Sequence, residues 1–158
     1  MPKKQENKKT GDLGEEIAAK YLKNKGFSIV ERNYRKKWGE IDVIARLSTE
    51  ISIEAGKMGK NKQIGDVSYE TGERIHFVEV KSVSYETKQM LELAVSHETY
   101  RPEERVDDFK LNQIRKAVET WIIEHNWCGE IQIDVIAVRM VPREKYATVK
   151  YIPNVIAE

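Results

Sequence analysis

The chain has 158 residues, of which 40% are hydrophobic and 34% are charged, and its formal net charge is +1. This indicates one folded domain with a real core, and the single cysteine, Cys128, excludes an internal disulfide and a multi-cysteine zinc site. No apolar run approaches the ~18 residues that span a bilayer, and none follows the N-terminal lysines, so we expect no signal peptide, no membrane partner and a cytoplasmic protein.

The N-terminal part of the chain is basic. Residues 1–37 contain eleven Lys and Arg against five acidic residues, whereas residues 38–158 contain sixteen basic and twenty-one acidic residues, which gives charges of +6 and −5. A basic end on a near-neutral protein is typical of polyanion binding, although a lysine-rich tail also aids solubility. We expect residues 1–9 to be a flexible basic tail and residues 10–158 to form one domain.

The first predicted element is a helix that begins at Asp12 and ends at Gly26. Glu15 falls at the edge of its apolar face, about 20° from Leu22 at 100° per residue, whereas Glu16 falls on the polar face. Glu15 can therefore lean toward the sheet, although an edge glutamate more often lies in water. The apolar face itself comprises Leu13, Ile17, Ala18, Tyr21 and Leu22.

Residues 27–34 and 39–47 alternate as strands do, and the basic turn 35–38 between them predicts a hairpin. The glycine-rich residues 48–74 indicate an insertion or an extended hairpin arm. Residues 74–83 give the third strand.

Residues 84–104 fit either a helix or a strand-and-loop excursion, and residues 106–126 are the strongest helix pattern. Strands at 130–140 and 147–156 follow, the last one at an edge because it contains a proline. The order α-β-β-β-α-β-β predicts an α/β architecture, a mixed β-sheet flanked by α-helices.

Two predicted core strands carry charges: "GEIDVIA" at 39–45 and "HFVEVKS" at 76–82. Glu79 and Lys81 share one strand face, and if the two strands are neighbours Asp42 and Glu79 converge at one end of the sheet. Converging carboxylates need a cation, and hard ions such as Mg²⁺ or Mn²⁺ prefer such oxygen ligands. A metal with a nearby lysine suits phosphodiester hydrolysis, while the alternatives are a buried Glu79–Lys81 ion pair or strand ends in solvent.

Lys110 lies on the apolar face of the 106–126 helix, in line with Ile114, Ala117 and Trp121. It either snorkels past the core to solvent or points at an anion at the rim of the site. The three histidines show no metal-binding pair at helical spacing.

The motifs "TGDLGEEIAAKYLKNKGF", "ERNYRKKWGEIDVIA", "FVEVKS", "FKLNQIRKA" and "IDVIAV" occur in this order. With them the chain resembles the YraN-type family of small bacterial proteins, which is mostly uncharacterised and is placed in the PD-(D/E)xK nuclease superfamily near Holliday-junction resolvases. "GEID" followed by "FVEVK" is specific as a pair. The resemblance does not extend to 48–74 or 84–104, and Ile41 stands where the superfamily has proline.

The resemblance implies a restriction-endonuclease-like core and a Mg²⁺-dependent (or Mn²⁺-dependent) endonuclease acting on DNA. It implies the catalytic set Glu15, Asp42, Glu79 and Lys81, and metal ligands from Asp42, Glu79, Glu15 and the backbone carbonyl of Val80. Junction resolvases act in pairs, so a homodimer is expected by analogy. For nucleic-acid contacts we predict Arg32, Arg35, Lys36, Lys37, Trp38 and Lys110.

A second hypothesis from a different class remains open at this point. Fold does not decide function, and a nuclease-fold protein with weak or no catalysis would serve as a nucleic-acid-binding or interaction protein.

Overall fold

The computed structural model describes residues 3–48, 73–97 and 101–156. Within them, the order of helices and strands is α1 (Lys3–Asn24), β1 (Ser28–Lys36), β2 (Gly39–Ser48), β3 (Glu73–Ser84), α2 (Lys88–Ser96), α3 (Asp108–Glu124), β4 (Glu130–Val141) and β5 (Tyr146–Ile152). All but three residues of the predicted insertion at 48–74 lie outside the described residues, so that prediction stays open. No helix in the described ranges is long and apolar enough to cross a membrane.

The five strands of the described ranges form one mixed sheet in the order β1-β2-β3-β4-β5. β1, β2 and β3 are joined antiparallel, β3 and β4 are parallel, and β4 and β5 are antiparallel. The prediction that β2 and β3 are neighbours is therefore confirmed, as is the edge position of β5. The parallel β3–β4 pair requires a crossover connection, and α3 lies within it.

Two apolar cores cover the two faces of the sheet. Ala18 and Leu22 of α1 pack on one face, and Ile114, Ala117 and Trp121 of α3 pack on the other. Each helix has one apolar stripe, so each covers one face of the sheet and leaves its polar side in water.

Two helical regions differ from the sequence-based expectation. α1 begins at Lys3 rather than at Asp12, so residues 3–9, expected as a tail, continue the helix with exposed side chains. Lys, Gln and Glu are good helix formers, and residues 3–9 contain no proline to end the helix. The ambiguous stretch 84–104 contains α2, whose first turn is capped by the Thr87 hydroxyl accepting from the Met90 N–H at 3.2 Å.

Candidate active site

Asp42 lies where β2 separates from β3. Val43 and Val78 form the last registered pair of these strands, and beyond it Oδ2 of Asp42 accepts the backbone N–H of Val80 at 2.7 Å. The usual alternation also breaks here, because Ile41 packs with the α3-side core and Val43 with the α1-side core. The carboxylate thus takes the place of a ladder hydrogen bond and sits in the gap between the strands.

Glu79 is the most buried acidic group at this end of the sheet, with 3% of its side chain exposed. Its Oε1 atom lies 2.9 Å from Nζ of Lys81, so the two side chains share a face as predicted, and the ion pair of the structural alternative is present. The other oxygen, Oε2, is buried and has no hydrogen-bond partner among the residues that the structure describes. One of the two oxygens of this carboxylate is therefore left unsatisfied by the described residues.

Lys110 points at anions rather than out to solvent. Its Nζ lies 3.3 Å from Oε1 of Glu79 and 3.7 Å from Oε1 of Glu40, and 18% of its side chain is exposed. Asp107 fixes the start of α3 by accepting the Lys110 N–H at 2.8 Å. Burial lowers the pKa of Lys110, but the carboxylates of Glu79, Glu40 and Asp42 together raise it above its usual value, which keeps the ammonium charged.

Glu15 comes to the site from α1. A Cβ added at Gly14 would lie 1.7 Å from Oγ of Ser82, so the absence of a side chain there lets α1 approach β3 closely. Glu15 is half-buried and lies near enough to the Asn33 side chain for that amide to lower its pKa, whereas Glu16 is exposed. Burial, with Asp12, raises the pKa of Glu15 against the opposing charges of Arg32 and Arg35.

These side chains surround an open cavity of about 360 Å³. Its wall contains every residue predicted for catalysis or metal binding, together with Lys110. The complete lining is Asn7, Thr10, Gly11, Glu15, Glu40, Asp42, Glu79, Val80, Lys81, Ser82 and Lys110. The residues predicted for catalysis and metal binding therefore lie around one cavity.

The cavity disfavours a second negative charge. The pKa of Asp42 is raised to about 8, first by burial and then by the Glu79 carboxylate, and the Val80 N–H opposes this only in part. Two carboxylates that resist simultaneous ionisation would be relieved by a cation between them.

The donor set fits a hard divalent ion. Oxygen ligands suit Mg²⁺, which is usually bound through one or two carboxylates together with water and phosphate oxygens, and the Glu79 Oε2 atom needs a partner. Within residues 3–48, 73–97 and 101–156, no three His, Cys, Asp or Glu side chains form a ready three-ligand cage. Asp42 and Glu79 are thus the fitting pair, and Glu15 lies near enough to raise the pKa of Asp42.

Apart from Lys110, the predicted basic contacts lie on the β1–β2 hairpin, and they differ in exposure and in ion pairing. Arg32, Arg35 and Lys37 are exposed, and Arg35 is 3.7 Å from the exposed Glu40. Lys36 lies 2.5 Å from Glu124 and is therefore partly neutralised.

Trp38, at the tip of this hairpin, remains 45% exposed although its Nε1 atom donates to Thr120 Oγ1 at 2.9 Å. A Cβ added at the adjacent Gly39 would lie 2.2 Å from the Gln113 carbonyl oxygen, so this glycine lets the hairpin pack closely against α3.

Besides Asn7, Thr10, Gly11 and Ser82 of the cavity wall, two further residues at the site were absent from the predicted set. Asn33 has a left-handed backbone (φ 53°) inside β1, and no pattern predicts such a residue within a strand. Glu40 stands in the same motif as Asp42, and its position two residues away was the available signal.

A second buried polar cluster centres on Asp134 of β4. Its carboxylate accepts hydrogen bonds from His76 Nδ1, Tyr151 Oη, Gln132 Nε2 and the Asn154 backbone N–H at 2.6, 2.7, 2.7 and 2.8 Å. Burial raises the pKa of Asp134, but these bonds, that of His76 foremost, hold it below its usual value.

Comparison with known proteins gives a consistent family. Residues 14–138 match the profile described as "Uncharacterised protein family UPF0102". Among similar proteins, a UPF0102 protein of Campylobacter lari is 34% identical over 128 residues, which are 81% of this chain and 81% of the relative. One of Pelobacter propionicus is 33% identical over 134 residues, 84% of this chain and 72% of the relative. One of Dictyoglomus turgidum is 29% identical over 149 residues, 94% of this chain and 97% of the relative. The chain therefore belongs to the uncharacterised protein family UPF0102.

Proposed function

We propose that this protein is a metal-dependent endonuclease-like enzyme of the PD-(D/E)xK type that acts on DNA phosphodiester bonds, with branched or structured DNA as candidate substrates. The observation that carries the proposal is the buried Oε2 of Glu79, which has no hydrogen-bond partner among the described residues, in a cavity shared with Asp42. Burial and then the Glu79 carboxylate raise the pKa of Asp42. Perturbed titratable groups in a cleft are typical of functional sites.

The order of the strands supports a restriction-endonuclease-like core. Asp42 comes from a strand of an antiparallel hairpin, and Glu79 and Lys81 come from the next strand, which is central and pairs in parallel with β4. Glu15 is added by the helix that precedes the hairpin.

Each residue has a proposed role. Asp42 and Glu79 would hold Mg²⁺ or Mn²⁺, with Glu15 and the Val80 carbonyl as further oxygen ligands. A bound divalent ion supplies Lewis acidity at the phosphate and lowers the pKa of coordinated water. Lys81, held by Glu79, would orient the attacking water and stabilise charge at phosphorus.

The exposed face of the hairpin would contact the DNA backbone. Arg32, Arg35 and Lys37 are available there, and Trp38 offers a partly exposed ring. With backbone contacts of this kind, the logarithm of the binding constant falls linearly with the logarithm of the salt concentration. Removal of one phosphate contact reduces the magnitude of this slope by about one. We expect Lys37→Ala to reduce that slope and Lys36→Ala to reduce it less, because Glu124 already compensates Lys36.

The test is incubation of the protein with branched, single-stranded and duplex DNA in the presence of Mg²⁺ or Mn²⁺. We expect cleavage that Asp42→Ala and Lys81→Ala abolish, while the matched variant Glu16→Gln, exposed and next to Glu15, leaves it unchanged. Absence of cleavage together with absence of Mn²⁺ binding in calorimetry would contradict the proposal.

A second candidate is a nuclease-fold protein that binds nucleic acid with little or no catalysis. The observation that favours it is that no three acidic, histidine or cysteine side chains of the described ranges form a cage, while Lys81 and Lys110 already compensate Glu79. In that case the wild-type protein binds DNA without cutting it, and Asp42→Ala retains this binding.

A further inference from the structure

Two lysines from different elements converge on one oxygen of Glu79. Nζ of Lys81 lies 2.9 Å from Oε1, and Nζ of Lys110 lies 3.3 Å from the same atom. Oε2 has no partner among the described residues. Lys81 alone already provides the close ion pair, so the second ammonium adds positive charge without satisfying the remaining oxygen.

The contacts of Lys110 are long and divided. Its ammonium lies between Glu79 at 3.3 Å and Glu40 at 3.7 Å, whereas a charge-assisted hydrogen bond has a length of about 2.7–2.9 Å. Glu40 is itself half exposed, and a lysine has a flexible four-carbon stem. Lys110 is therefore held mainly by charge and can leave Glu79 at small cost.

We propose that Lys110 is an exchangeable counter-ion: it compensates Glu79 in the metal-free protein and turns to a backbone phosphate of the nucleic acid when a divalent cation binds to Glu79. Two ammonium groups and a divalent ion around one carboxylate repel one another strongly at these distances. Lys81 lies closer to Glu79 and on the same strand, so Lys110 is the group that yields. The inference rests on the proposed function, because it requires the metal site.

The test compares Lys110→Met, which keeps an apolar stem without the charge, with wild type in EDTA and in saturating Mn²⁺. In EDTA we expect the melting temperature to fall by roughly 2–4 °C. In Mn²⁺ we expect this difference to close, and calorimetry to show Mn²⁺ binding that is equal to or several-fold tighter than in wild type. Lys116→Met, on an exposed position of the same helix, should change neither quantity.

Phosphate contact is measured separately with a phosphorothioate duplex that resists cleavage. We expect Lys110→Met to weaken duplex binding several-fold in Mn²⁺ and to leave it unchanged in EDTA, where the ammonium is engaged with Glu79. Should Lys110→Met fail to fold, Lys110→Gln, which keeps a polar end without the charge, is measured in the same way and carries the same expectations.

An equal loss of melting temperature in EDTA and Mn²⁺, or weaker Mn²⁺ binding, would overturn the inference and make Lys110 a fixed structural partner of Glu79. Equal loss of duplex affinity with and without Mn²⁺ would overturn the phosphate role. If wild type itself binds no Mn²⁺, the proposed function fails as well. If wild type binds Mn²⁺ and the lower melting temperature of Lys110→Met persists in Mn²⁺, only this inference fails.

Discussion

Asp42 and Asp134 are two aspartates drawn into the same sheet, and their surroundings differ. Asp134 is 0% exposed, accepts four hydrogen bonds and has a lowered pKa. Asp42 accepts one described hydrogen bond, and burial together with the nearby Glu79 carboxylate raises its pKa to about 8. A buried carboxylate that the protein fully supplies with donors contributes to the fold, whereas one with few donors and a raised pKa is typical of functional sites.

The largest expected effect is the loss of stability on removal of the Asp134 charge. Asp134→Asn should lower the free energy of unfolding by about 2–4 kcal/mol, because it removes the carboxylate at the centre of a buried hydrogen-bond network and leaves donors from His76 and Tyr151 short of an acceptor. Urea denaturation measures this. A loss below about 1 kcal/mol would remove the contrast between the two aspartates.

The next effect concerns the approach of α1 to the site. Gly14→Ala should destabilise the protein by about 1–3 kcal/mol, because the new methyl group overlaps Ser82. Displacement of Glu15 should also weaken Mn²⁺ binding. Gly11→Ala is the control on the same helix: its Cβ meets nothing within 4 Å, so it should raise stability by up to about 1 kcal/mol. Equal effects of the two substitutions would show that α1 does not need this close contact.

Asp42→Asn should act in the opposite direction to Asp134→Asn and should depend on pH. Because the folded-state pKa of Asp42 is raised from 3.8 to about 8, its contribution to stability is complete below pH 4 and is lost as pH rises to 8. Without metal, Asp42→Asn should therefore be more stable than wild type by on the order of 1 kcal/mol at pH 8, and the gain should shrink toward pH 5.

Thermal unfolding in EDTA between pH 5 and 8 checks this prediction. Lys116→Met, at an exposed position of α3, is the control and should leave the pH profile of wild type unchanged. A stability gain for Asp42→Asn that does not vary with pH would contradict the account of Asp42.

The smallest effect distinguishes a functional lysine from a purely structural one. Lys81→Met should cost only on the order of 1 kcal/mol in EDTA, because Lys110 remains beside the same Glu79 oxygen and no buried charge is left alone, yet it should abolish cleavage. A fixed structural pair predicts instead a loss of several kcal/mol and no effect of added metal on the melting temperature. Urea denaturation with and without Mn²⁺ separates the two.

The sequence predicted that the site residues lie together because strand alternation and helical periodicity place most of them. Alternation along β3 places Glu79 with Lys81, and 100° steps place Lys110 on the apolar face of α3. The same steps put Glu15 only at the edge of the α1 apolar face, and the family resemblance selected it for the site. The sequence did not predict the break in alternation at Asp42 or the left-handed Asn33, because strict alternation is the only strand signal in this part of the sequence and both residues depart from it.

The Asp134 cluster was also missed, and His76 was left without a role. His76 and Asp134 are 58 positions apart and meet through the parallel register of β3 and β4, in which Val78 pairs with Asp134. Alternation fixes the face of a residue but not its partner across a parallel pair, which has no connecting turn to set the register.

The central claim is that Asp42 and Glu79 form an unfinished cation site. Anomalous diffraction from crystals soaked in Mn²⁺ tests it most directly, with Asp42→Asn crystals soaked in parallel. The account predicts a Mn²⁺ peak in the cavity bonded to Oε2 of Glu79 and to Asp42, and a weaker peak or none in the variant. A cavity without Mn²⁺, with the Glu79 oxygen still lacking a partner, would contradict it.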